Sequence, residues 1–201
     1  MRTITIAVIT AAFLLGTNLM AQEVEQRLDE AKSAYSSGDL ENARFALQEA
    51  LNEINKAIGK DILEMLPASA GGMEKVENSD NVTGTNMGFA GLYVNRDYKS
   101  EDSDANFQII SDSPLMGSIS TLLSMSVFMA ADPNQKRIKV DGYKALMTRE
   151  ENEDGSTSGW QVQLPFGNSL LSFDCNCDVD EKEMEKIMNE FPVQEIIKTA
   201  Q

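Results

Sequence analysis

The chain has 201 residues, with 17 Lys and Arg against 32 Asp and Glu, a formal net charge of −15 and no histidine. So acidic a surface does not neutralise nucleic-acid phosphates and is repelled by anionic membrane surfaces. Without histidine there are no Ser-His or Cys-His nucleophile pairs, histidine metal triads or histidine proton shuttles. No Ser-x-x-Lys, Gly-x-Ser-x-Gly or phosphate-cradling glycine loop replaces them.

The first element is an export signal. Arg2 supplies a positive start, Ile4 to Leu15 is apolar apart from two threonines, and Leu19-Met20-Ala21 precedes Gln22. The pattern predicts a secretory signal over residues 1–21, cleaved after Ala21. The apolar run is too short to span a bilayer, and no Cys stands at the cleavage point to carry a lipid. Cleavage removes one Arg and no acid, leaving 16 Lys and Arg against 32 acids, a net −16. The expected location is the periplasm or the exterior, with no membrane span in the mature chain. What remains is long enough for one packed domain with a small appendage.

Residues 22–66 predict a helical hairpin. Leu28, Ala31, Ala34 and Tyr35 recur three and four apart. Ser36-Ser37-Gly38-Asp39 interrupts them, with Gly38 suited to a left-handed helix end and Asp39 to the next N-cap. A second helix then carries Leu40, Ala43, Leu47, Ala50, Leu51, Ile54 and Ile58 on one face. Residues 38–51 resemble the turn and second helix of a tetratricopeptide repeat. There is one copy, and its first helix lacks the aromatic and glycine of that family, whereas a solenoid needs about three repeats. The resemblance therefore implies a lone hairpin, packed on the main domain or docking a partner.

Residues 67–88, rich in Gly, Ser, Asn and Ala, read as a linker or irregular crossover. Beyond it the apolar period falls to two. Six strands are expected, around Leu92-Val94-Tyr98, Phe107-Ile109, Ile138-Val140, Tyr143-Ala145-Met147, Trp160-Val162-Leu164 and Leu171-Phe173-Cys175. Arg149, Glu150, Glu151, Glu153 and Asp154 fall at a solvated hairpin tip. The uncharged segment 115–131 reads as a helix covering the sheet, and 180–191 as a last helix stopped by Pro192. The expected fold is α+β, with residues 89–201 forming an antiparallel sheet of about six strands covered by those two helices.

Three motifs carry a resemblance across residues 89–178. Arg96-Asp97-Tyr98 on a strand, Asp112-Ser113-Pro114 before an uncharged helix, and Gly142-Tyr143-Lys144-Ala145 on a later strand resemble an uncharacterised bacterial envelope family. The strand-helix-strand order is also similar to the sandwich of photosystem accessory subunits. Neither resemblance implies an active-site residue.

Two constellations are candidates for chemistry. Asp174, Asn176, Asp178, Asp180 and Glu185 place side-chain oxygens at positions 1, 3, 5, 7 and 12 of a calcium loop. Position 6, where that loop needs glycine, is Val179, and position 8 is Glu181. The competing expectation is a helix cap, with Asp180 at the N-cap and Glu183 three residues on. Cys175 and Cys177 are read three ways: a disulfide, two free thiols, or a soft-metal pair taking copper(I) with methionines such as Met116, Met125 and Met129. The functional expectation is a non-enzymatic periplasmic binding or accessory protein with an envelope protein partner. A calcium or copper protein centred on 174–185 and a carboxylate-dependent enzyme are the alternatives.

Overall fold

The computed structural model describes residues 22–84, 91–124, 133–151 and 157–201, so the expected signal lies outside the described residues. The chain divides after Ala57 into two compact units.

The first unit holds helix α1, residues 22–36, and most of α2, Leu40–Met65. Gly38, at φ 82, ends α1 in the left-handed conformation that glycine adopts without steric cost. The amides of Gly38 and Asp39 bond back to the carbonyls of Tyr35 and Ala34. Asp39 then caps α2, its Oδ1 accepting from the Asn42 amide at 3.1 Å. This three-residue turn folds the helices into a hairpin. The predicted apolar face of α2 separates into two stripes. Ala43, Ala46 and Ala50 are buried, as is Ala31 of α1, whereas Leu40, Leu47, Leu51 and Ile54 are exposed. Small side chains line the close helix crossing, and the leucines stand roughly 80° further round at 100° per residue.

The second unit, residues 58–201, contains the end of α2 and one antiparallel sheet with nine strands among the described residues. They are β1 (Ser69–Ala70), β2 (Met73–Lys75), β3 (Asn81–Gly84), β4 (Leu92–Lys99), β5 (Asp104–Ser111), β6 (Gln135–Val140), β7 (Tyr143–Glu151), β8 (Thr157–Phe166) and β9 (Ser169–Asn176). The order is β1-β2-β4-β5-β9-β8-β7-β6, with β3 also pairing along β4. All six expected strands are present as β4 to β9. The linker expectation for 67–88 is corrected, since β1, β2 and β3 lie within it. Their two to four residues are too short to display a period of two.

The coverage of the sheet is also corrected. Its main core face, including Tyr98, Phe107, Val162 and Phe173, is closed by Ile62 and Leu66 of α2 and by two C-terminal helices, α4 (Glu181–Met188) and α5 (Val193–Ala200). Pro192 separates these helices rather than ending the helical region, because α5 restarts directly behind it. Phe191, in the bend between them, stacks on Phe107 at 5.1 Å and also meets Phe173 and Tyr98. The uncharged segment forms α3 (Met116–Ser124); its remainder from 125 lies outside the described residues. Ile119 and Leu123 of α3 pack with Leu146, whose neighbours Ala145 and Met147 point into the main core, so α3 lies on the opposite face. Among the described residues no helix is long and apolar enough to cross a membrane.

Gly159 is required by a close approach. A Cβ there would lie 2.5 Å from the Cys175 carbonyl oxygen on the neighbouring strand. Gly159→Ala is expected to force β8 and β9 apart at a cost of about 2–3 kcal/mol, read as a lower urea midpoint with an unchanged slope.

Candidate functional site

The five predicted metal ligands begin on β9, whose alternation sends successive side chains to opposite faces. Cys175 turns into the core, so Asp174 turns away from it, into a polar row whose cross-strand neighbours are Asn106 and Gln161. Gln161 donates to Asp174 Oδ1 at 2.7 Å, and Asn176 donates to Asp104 Oδ2 at 2.9 Å. Asp180 caps α4, accepting from the Glu183 amide at 2.9 Å. Glu185 faces Lys136 of β6 at 3.4 Å, and Glu181 pairs with the same ammonium. Only Asp178 and Asp180 of the five line a common hollow, of about 380 Å³, shared with Lys136, Met147, Arg149 and Trp160. Among the described residues no three acidic or cysteine side chains come together as a metal site would require. The physical reason is Val179. Where a calcium loop turns on glycine, Val179 packs its side chain against the core and offers its carbonyl to the Trp160 indole at 3.0 Å. Asp180 itself is extended, at φ −79 and ψ 167, where it caps α4.

Cys175 and Cys177 are joined in a disulfide with their Cα atoms 5.4 Å apart, and both are buried. Bridged sulfurs are not thiolates, so the pair offers copper no anionic ligand. Of the methionines weighed with it, Met116 lies on α3, while 125 and 129 fall outside the described residues. The bridge fixes the turn out of β9 two residues before the carbonyl that holds Trp160. Reduction is expected to shift the fluorescence of Trp160, the single tryptophan of the chain. The accompanying loss of stability should stay below about 2 kcal/mol, since so short a loop holds little closure entropy. An unchanged emission spectrum after complete reduction would separate Trp160 from the bridge.

The Arg-x-Tyr element has a structural role that spacing alone did not reveal. Arg96 and Tyr98, two apart on β4, share a face and are buried, Arg96 at 4% exposure. The Arg96 guanidinium grips Asp80 through Nε and Nη2 at 2.7 and 2.6 Å and donates from Nη1 to the Leu66 carbonyl at 3.0 Å. The Tyr98 hydroxyl donates to the Pro67 carbonyl at 3.0 Å, and burial pushes its pKa up to about 12. Together they tie the exit of α2 to the sheet. Leu63, Glu64, Lys75, Asp80 and Arg96 also line a hollow of about 310 Å³. Of the charged tip expected after β7, Arg149 pairs with Glu151, and residues 152–156 are outside the described part.

The hairpin presents a different kind of surface. Leu28, Tyr35, Leu40, Leu47, Leu51 and Ile54 are 40–70% exposed. Comparison with family models, with curated proteins and with solved structures finds no match to this chain.

Proposed function

We propose that this chain is an exported, non-enzymatic binding or accessory protein that docks a protein partner through its N-terminal hairpin. The observation that carries this reading is the row of exposed leucines on α2 beside a helix crossing filled by alanine. The hairpin buries its small residues internally and keeps its large ones for another surface. Tight capping at Gly38 and Asp39 holds that surface in shape before any partner arrives, which lowers the ordering cost of association. The export and non-enzymatic parts rest on the sequence: the signal pattern at residues 1–21 and the missing histidine.

The test is capture of envelope proteins on the immobilised mature chain, compared with a Leu47→Glu/Leu51→Glu variant. Each leucine is about half exposed and stands to gain roughly 1 kcal/mol on burial, so the double change should weaken the partner about thirtyfold. A partner held equally by both proteins, with or without residues 22–57, would overturn the docking role of the hairpin.

A further inference from the structure

The hollow beside Trp160 opposes charges of both signs across an apolar floor. On the sheet side, Lys136 of β6 stands opposite Met147 of β7 in register, and Arg149, two residues further along β7, stands opposite Trp160 of β8. Met147 and Trp160 belong to the apolar core, so the two cations flank its edge where it meets the hollow. The facing wall is the connection from β9 into α4, and it is acidic. Asp178 and Asp180 both line this space of about 380 Å³, within the range of small-molecule sites.

The acidic wall is pinned along its length. The Cys175–Cys177 bridge ends directly before Asp178, the Trp160 indole holds the Val179 carbonyl at 3.0 Å, and Asp180 is fixed as the cap of α4. Its acceptors are only partly used. Asp180 accepts from the Glu183 amide through Oδ1, and Asp178 has no hydrogen-bond or ion-pair partner among the described residues. Across the hollow, Arg149 reaches Asn134 and Glu151 through Nη2, which leaves Nε and Nη1 without a partner among the described residues. Those donors suit a carboxylate. A lone anion here meets Asp178 and Asp180, and a lone cation meets Lys136 and Arg149. A molecule with one charge of each sign and an apolar group satisfies both walls and the floor.

We propose that this hollow binds a free amino acid with an apolar side chain, its carboxylate on Arg149, its ammonium on Asp178 and its side chain over Met147 and Trp160. A wall already pinned loses little freedom when the ligand arrives. Every residue of the site lies in the second unit, so the inference does not rest on the docking reading of the hairpin.

The experiment is titration of the mature chain with L-leucine, L-methionine and L-phenylalanine to millimolar concentrations, followed by calorimetry and by the emission of Trp160, the chain's single tryptophan. At least one of the three is expected to give a saturable change in emission and a matching heat. Its N-acetyl form lacks the ammonium and its amide lacks the carboxylate, so each should bind about tenfold more weakly. Arg149→Gln should weaken the free amino acid about tenfold and leave the binding of the amide as it is, and Asp178→Asn should do the same with the N-acetyl form, because the contact removed is already missing. Asp178 is exposed and the Arg149 side chain is 40% exposed, so both variants should keep the circular dichroism of the parent. Absence of heat and of any emission change with all three amino acids overturns the proposal. Capped and free forms that bind equally well overturn it too, since the hollow would then recognise the apolar group only.

Discussion

Replacing Phe191 with alanine is expected to cost about 4 kcal/mol and lower the melting midpoint by roughly 10 °C. The ring is fully enclosed and, alone among the described residues, meets three aromatic partners, Tyr98, Phe107 and Phe173, on β4, β5 and β9. It also sits at the bend joining α4 and α5, so the cavity left by its removal would undermine both helices at their common end. Phe191→Leu should recover more than half of the loss, since it restores volume without the ring contacts. An alanine variant that melts within about 2 °C of the parent would show that α4 and α5 are held chiefly by their own apolar faces.

The second large effect is expected at Asp80. Removing its carboxylate leaves the buried Arg96 guanidinium with the Leu66 carbonyl but no counter-charge. Asp80→Asn should cost about 3 kcal/mol at neutral pH, the low end for breaking a buried pair, because the Asp80 side chain keeps 32% exposure. The same pair predicts a pH dependence. Hydrogen bonding to Arg96, with its positive charge, holds the Asp80 carboxyl below its ordinary pKa. Between the depressed folded value and the unfolded value near 3.9 the unfolded chain binds more protons. The stabilisation is therefore complete above about pH 4 and is lost as the pH falls through the folded value. Melts of parent and Asp80→Asn should differ most at neutral pH and converge as the pH falls below the ordinary carboxylate range; a difference that persists undiminished in acid would sink the assignment.

Much of the architecture was legible in the residues. Strands β4 to β9 announced themselves because residues of the apolar core recur at every second position along much of each, so Trp160-Gln161-Val162-Gln163-Leu164 could be read directly. Gly38 and Asp39 punctuated the hairpin by local chemistry, and local chemistry is what sequence carries best. What was missed depended on distant contacts. Strands β2 and β3 exist because β4 supplies an edge, β1 pairs in turn on β2, and α5 follows Pro192 because the core accepts Val193, Ile196 and Ile197. The lack of charge on α3 marked it as packed without indicating which face of the sheet it covers. In the candidate calcium loop five oxygens have the spacing of ligands, but Val179 packs against the core where such a loop needs glycine, and among the described residues no three acidic or cysteine side chains come together. Arg96 was visible only as a motif, because its partner Asp80 lies in a different segment with nothing periodic about it.

The strand order also bears on how the chain reaches this state. β6, β7, β8 and β9 pair in chain order, and β4 and β5 form a separate hairpin; among the described strands the two groups pair through β5 and β9, from Ser111 with Ser169 to Asp104 with Asn176. The pairing of β5 with β9 spans all of α3 and three strands, so its loop-closure entropy is spent before any of its contacts form. The meander from β6 to β9 can assemble from near neighbours, and docking of the β4–β5 hairpin is the slow, ordering step. Phe191 follows both groups in the chain and contacts rings from each, so its enclosure reports the completion of that step rather than its start.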